Sequence, residues 1–132
     1  MAVFVDTSAI FATFDTADRR HEEAQRILRE LEQQSETLFT TNYVVVETMA
    51  LLGKRLGFDA ARAFQIEMVP ILNVHWIDKP LHEKAVAALL TAGRRNLSLV
   101  DCVSFEVMRE MDLDMAFAFD AHFTEQGLRL VS

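Results

Sequence analysis

Asp6, Glu47, Asp101 and Asp120 are the residues of this chain whose types and settings call for chemistry. Asp6 ends the apolar run Ala2–Val5, and Asp120 ends the apolar run 115–119. Glu47 and Asp101 fall within the first turns of two expected helices, each among apolar neighbours. If the two runs are parallel strands, all four carboxylates meet at the carboxyl edge of one sheet, where open α/β sheets place their ligands. Converged carboxylates repel one another and are tolerated mainly around a hard cation. An all-oxygen donor set selects Mg²⁺ or Mn²⁺ and suits metal-assisted hydrolysis of a phosphodiester. Zinc is not expected, because Cys102 and the four histidines (His21, His75, His82 and His122) show no ligand spacing.

Each acid also has a plainer reading. Asp6 and Asp120 can cap the turn that follows their strands, through backbone amides such as those of Thr7 or Ser8. Asp101 can be a first-turn acid favoured by the helix dipole. Glu47 has only uncharged neighbours one turn away, Tyr43 and Leu51, so its bland alternative is a distant arginine. Singly, these readings are respectable. Four together at one sheet edge favour a shared site.

Other chemistries lack their signatures. There is no Gly-rich phosphate loop and no Gly-x-Ser-x-Gly elbow. Cys102 reads as a packed small residue, and Trp76 and the ten phenylalanines read as core. An aspartyl-phosphate phosphotransferase with Asp6 as nucleophile wants a second Asp two residues on, and Ser8 stands there.

The elements that would position the acids follow from apolar periodicity. Residues 1–5 read as a buried strand, apolar throughout as parallel strands are. Helices are expected over 8–14 and 21–32, the latter with Ala24, Ile27, Leu28 and Leu31 on one stripe. A short strand over 38–40 leads to a helix N-capped by Asn42 that runs to about Arg55, with Gly57 just past its end. A helix over 59–68 ends before Pro70, and 72–77 reads as a strand. Asp78 caps a helix with Pro80 in its first turn, which Gly93 closes. Ser98 or Leu99 opens the Asp101 helix; strands over 115–119 and 128–131 flank a turn or short helix over 122–126. Alternating strands and helices give an α/β fold with a mostly parallel sheet.

The 132 residues form one expected domain, 1–132, half of it hydrophobic and only 25% charged, which excludes a disordered chain. The longest apolar run, 85–90, is six residues, far short of a membrane span, and no signal-like segment opens the chain. A cytoplasmic protein is the expectation, and the single cysteine fits a reducing compartment. The net charge of −7 disfavours non-specific nucleic-acid binding taken alone. Metal at the four acids would offset part of it, and Arg19 with Arg20, Lys54 with Arg55, and Arg94 with Arg95 form local basic pairs.

Four segments carry a family resemblance: Val5-Asp6-Thr7-Ser8-Ala9, Val45-Val46-Glu47-Thr48, Ser98-Leu99-Val100-Asp101-Cys102-Val103-Ser104-Phe105 and Ala118-Phe119-Asp120-Ala121-His122-Phe123. In order, and in a chain of compatible length, they resemble the acidic motifs of PIN domains, in particular the VapC-type ribonuclease toxins, over essentially the whole chain. The resemblance implies a three-layer α/β/α domain with a central sheet of four to five strands. It implies that Asp6, Glu47, Asp101 and Asp120 ligate Mg²⁺ or Mn²⁺ and position the attacking water, with Ser8 and Ser104 supporting them. An RNA substrate, a homodimer and a cognate antitoxin are the implied partners, the protein being the toxin of a type II toxin–antitoxin pair. A non-catalytic PIN-like scaffold is the remaining alternative. The chain departs from the pattern at Ala118, where family members often carry Ser or Thr.

Overall fold

The computed structural model describes residues 2–132. Ala2–Val5 forms strand β1; Met1, included in the expected strand, lies outside the described residues. Helices α1 (Thr7–Phe14) and α2 (His21–Gln33) follow, then β2 (Thr37–Thr41) and α3 (Asn42–Arg55). Next come α4 (Phe58–Ala63), β3 (Asn73–His75), α5 (Lys79–Ala92), α6 (Leu99–Glu110), β4 (Met115–Phe117), α7 (His122–Glu125) and β5 (Arg129–Leu130).

The five strands form one sheet in the order β3-β2-β1-β4-β5, every neighbouring pair parallel. The connections β1–β2–β3 run outward one way, and β4 returns to the other side of β1. Because crossovers are right-handed, α1–α4 and α5–α6 cover opposite faces of the sheet. The order reverses between β1 and β4, and that is the point where such sheets open a crevice beyond their strand ends. The Asp6 amide donates to the Phe117 carbonyl at 3.0 Å, extending the β1–β4 pairing to the brink of it.

Both faces of the sheet are packed. Val3, Phe4, Val5, Ala116 and Phe117 are all but inaccessible. On one side Phe123 of α7 packs edge-on against Phe105 of α6, with centroids 5.1 Å apart. On the other, Phe14 of α1 meets Phe64 edge-on at 6.3 Å.

Three local expectations change. Thr41, not Asn42, caps α3: its hydroxyl accepts from the Val44 amide at 3.1 Å, whereas Asn42 Oδ1 accepts from Ile77 N at 2.8 Å. The helix expected over 59–68 is α only to Ala63, then widens into a π turn (Phe64–Met68) and a 3₁₀ turn (Val69–Ile71) that contains Pro70. Trp76 and Phe58 are not core; they stand 75% and 70% exposed. Asp78 and Gly93 bound α5 as expected, Gly93 in the left-handed conformation (φ 60°) that a residue without Cβ adopts freely.

Candidate metal and active site

Asp6, Glu47, Asp101 and Asp120 line one cavity of about 360 Å³ at the carboxyl edge, together with Thr7, Ser8, Leu51 and Ser98. Four separate elements supply the acids. Asp6 and Asp120 follow β1 and β4 on either side of the switch point, Asp101 comes from the first turn of α6, and Glu47 comes from α3.

The capping roles weighed against a site are all realised, and they serve it. Asp6 Oδ2 accepts from the Ser8 amide at 3.1 Å and from the Ser8 hydroxyl at 2.6 Å, capping α1. Ser8 Oγ in turn accepts from Phe119 N at 2.9 Å, so one hydroxyl ties the end of β4 to the carboxylate after β1. Asp101 Oδ2 accepts from Ser98 N at 3.1 Å while Asp101 N donates to Ser98 Oγ at 3.0 Å, a reciprocal capping box. Asp120 Oδ1 accepts from His122 N at 2.9 Å. Each cap fixes one oxygen of its aspartate and leaves the other without a hydrogen bond among the described residues.

Glu47 is set by its helix. The Thr41 cap starts α3, and Thr48 Oγ1 donates to Thr7 Oγ1 at 3.2 Å, which locks α3 to α1 in the core beneath the cavity. Ser104 does not line the cavity. Its hydroxyl donates to the Val100 carbonyl at 3.0 Å within α6, so it steadies the helix rather than touching an acid. Ala118, where the family pattern often has a hydroxyl, is fully packed.

His122 belongs to the site although its sequence spacing offered no zinc signature. Ligand atoms of Asp101, Asp120 and His122 all lie within 4.8 Å of one another. His122 Nδ1 sits 2.9 Å from Asp120 Oδ1 and 3.7 Å from Asp101 Oδ2. Despite that distance, this buried nitrogen has no hydrogen-bond partner of proper geometry among the described residues. The signal for it was local: a histidine two residues after the strand-end aspartate.

Among the described residues, no lysine or arginine ion-pairs with any of the four acids. At Asp6 and Asp101, the two buried ones, burial is the largest influence on the carboxyl. It pushes the Asp6 carboxyl up to about 6, against the pull of its two Ser8 hydrogen bonds and with further upward pressure from the Asp101 and Asp120 charges. Asp101 is raised too, first by burial and then by Asp120, while Ser98 and His122 oppose the shift. A raised carboxyl binds its proton more tightly in the folded state, so the fold loses stability as pH rises from 3.8 to about 6. For Asp6 alone the loss is about 3 kcal/mol at neutral pH in the metal-free protein. Carboxylates that repel one another, free second oxygens and an orphaned imidazole nitrogen together fit a divalent cation. Cys102 fits no reactive role: burial, and then the Asp101 and Glu106 charges, push its thiol up.

A family model described as PIN domain matches residues 3–127. The 23S rRNA-specific endonuclease VapC20 of Mycobacterium tuberculosis, known from two strains, is 35% identical over 126 residues, which span 95% of this chain and 94% of the relative. The crystal structure of that VapC20, described as a sarcin-ricin loop cleaving toxin, superposes with a TM-score of 0.83 over 96% of this chain and 95% of its own. FitAcB from Neisseria gonorrhoeae, 14% identical, shares the fold at a TM-score of 0.70, covering 100% of this chain and 97% of its own.

Proposed function

This chain belongs to the PIN-domain family, and on that premise we propose that it is a divalent-metal-dependent endoribonuclease, the toxin of a toxin–antitoxin pair. The observation that carries the reading is the convergence of Asp6, Asp101 and Asp120 with Glu47 around one cavity that no lysine or arginine among the described residues neutralises. The oxygen-rich donor set favours Mg²⁺ or Mn²⁺ over softer ions, held by Asp6, Glu47, Asp101 and Asp120, with His122 close to two of them. When bound, such an ion supplies charge neutralisation at the phosphate and an acidified water.

The residues of the chain do the rest. The Ser8 and Ser98 contacts hold the aspartates in fixed rotamers, so the site is organised before substrate arrives. Their free oxygens orient the attacking water and accept its proton. Water adds to phosphorus, the bond to the leaving ribose oxygen breaks, and that oxygen takes up a proton. Ser8 supports Asp6 directly, and Ser104 acts through the rigidity of α6.

The relative's named target makes structured ribosomal RNA the first substrate class to try. An antitoxin is the expected partner of a toxin of this type. Exposed Phe58 at the start of α4 and Ile66 in the π turn that follows it offer apolar surface that a second copy of the chain would cover. No helix among the described residues is long and apolar enough to cross a membrane, and the reading places the protein with its RNA in the cytoplasm.

The test is cleavage of single-stranded and ribosomal RNA by the purified protein in Mg²⁺ or Mn²⁺, with and without EDTA. Cleavage that EDTA stops, and that Asp6→Asn and Asp101→Asn both abolish while circular dichroism stays native, is the expected result. Cleavage retained in both variants contradicts the assignment.

A further inference from the structure

The carboxyl edge of the sheet continues beyond the acids, over β2 and β3, and there its character changes. A slot of about 270 Å³ between α3 and α6 is lined by Asn42, Tyr43, Val46, Glu47 and Val100. Glu47 also lines the acidic cavity, so the two spaces meet at that side chain. The register Thr41↔His75 and the bond from Ile77 N to Asn42 Oδ1 put Trp76 at the same edge, its backbone beside Asn42. Trp76 is 75% exposed, the most exposed large apolar side chain described.

Three features of this half of the edge suit a nucleobase. First, the Tyr43 ring is held in place: its hydroxyl is hydrogen-bonded to His82 Nδ1, and the two rings lie 5.7 Å apart. Second, among the described residues the Asn42 side chain makes one hydrogen bond, which its Oδ1 accepts, and both Nδ2 hydrogens remain to donate to a base edge. Third, β3 stands two strands from β1, about 10 Å at the usual strand spacing. A few nucleotides of single strand cover that distance. Aromatic platforms beside a phosphate-handling cleft are how proteins hold unpaired RNA, because every base offers a π-face.

We propose that Trp76 and the Tyr43–Val46–Val100 slot form a base-stacking track that holds the unpaired nucleotides flanking the scissile phosphate, with Asn42 Nδ2 donating to a base edge. The track rests on the ribonuclease reading for its substrate class and adds to it the residues that grip the strand. Tyr43 and Asn42 sit one turn before Glu47 on the same helix, so base binding and the acidic wall are mechanically one unit.

Trp76 is the only tryptophan in the chain, which makes its emission a direct reporter. The full chain carrying Asp101→Asn, which leaves RNA uncut, is titrated with single-stranded oligoadenylate of about ten residues. Stacking quenches Trp76 saturably, and Trp76→Ala weakens binding of a labelled strand roughly tenfold, with Trp76→Phe restoring most of it. In wild-type protein the same Trp76→Ala change raises KM for a single-stranded substrate more than it lowers kcat. Unquenched emission together with unchanged affinity in Trp76→Ala overturns the track, even if the wild-type protein cleaves RNA. Emission that follows protein concentration and ignores RNA marks Trp76 as a self-association contact and overturns it as well. Quenching by RNA without any cleavage by the wild-type protein supports the track and removes the ribonuclease reading instead.

Discussion

Asp101 and Glu106 stand on the same helix, α6, and both are buried, yet they have opposite surroundings. Glu106 Oε1 accepts from Arg109 Nη2 at 2.8 Å, and its Oε2 lies 3.4 Å from Lys84 Nζ on α5. Burial raises the Glu106 carboxyl, but the Arg109 hydrogen bond and charge, with Lys84, outweigh it and hold the group below the ordinary glutamate range. Asp101 faces Asp6, Asp120 and a histidine, and is pushed upward. The chain thus has cations able to neutralise a buried acid and uses them little more than one turn away. At the cavity it holds three aspartates together without them. An acid paired this way ties α5 to α6; acids left unpaired this way await a ligand.

Conservative replacement separates the two kinds of acid. Asp101→Asn keeps an oxygen that can accept from Ser98 N, so the fold survives. Cleavage is expected to fall on the order of a thousandfold or more, while the metal-free variant melts no lower than wild type because one repelling charge is gone. Glu106→Gln is expected to leave cleavage intact and to lower stability by about 1 kcal/mol, modest because Arg109 and Lys84 are half or more exposed. Activity assays paired with thermal denaturation decide it, and a Glu106→Gln variant as inactive as Asp101→Asn would erase the distinction.

Acid titration gives a smaller effect of the same kind. The folded-state carboxyl of Glu106 is depressed, so its stabilisation is present above the unfolded glutamate value and is lost as pH falls through the folded one. Asp6 is raised, so the metal-free fold gains stability as pH falls from about 6 to 3.8. In urea denaturation without metal, Asp6→Asn should flatten the gain over that window, and Glu106→Gln should flatten the loss that follows at lower pH. Identical pH profiles for the two variants would break the comparison.

The acids were legible because charge beside buried strands is costly and needs a reason. The strand-to-helix alternation was legible for the same physical cause: apolar runs of strand length are hard to place elsewhere than in a covered parallel sheet. What failed was reading apolar residues by type. Trp76 and Phe58 look like core in composition, and only three-dimensional position shows them exposed. His122 carries no histidine–cysteine ligand spacing in the sequence, because its partners are aspartates, one of them two residues away. The α3 cap moved by one residue because Thr41 and Asn42 both suit the position. A tertiary bond to Ile77 N engages the Asn42 side chain instead. The π turn at Phe64–Met68 breaks a helical pattern that local propensity alone continues.

Metal binding by the unpaired acids tests the account most directly. Mg²⁺ or Mn²⁺ titrated into the metal-free protein should bind saturably and raise the melting temperature by several degrees, since a ligand at a hundred times its Kd contributes about 2.7 kcal/mol. Asp6→Asn, Asp101→Asn and Asp120→Asn should each remove most of that rise, and Glu106→Gln should leave it whole. No rise in the wild-type protein, or the same rise in Asp101→Asn, would contradict a cation site built from these aspartates.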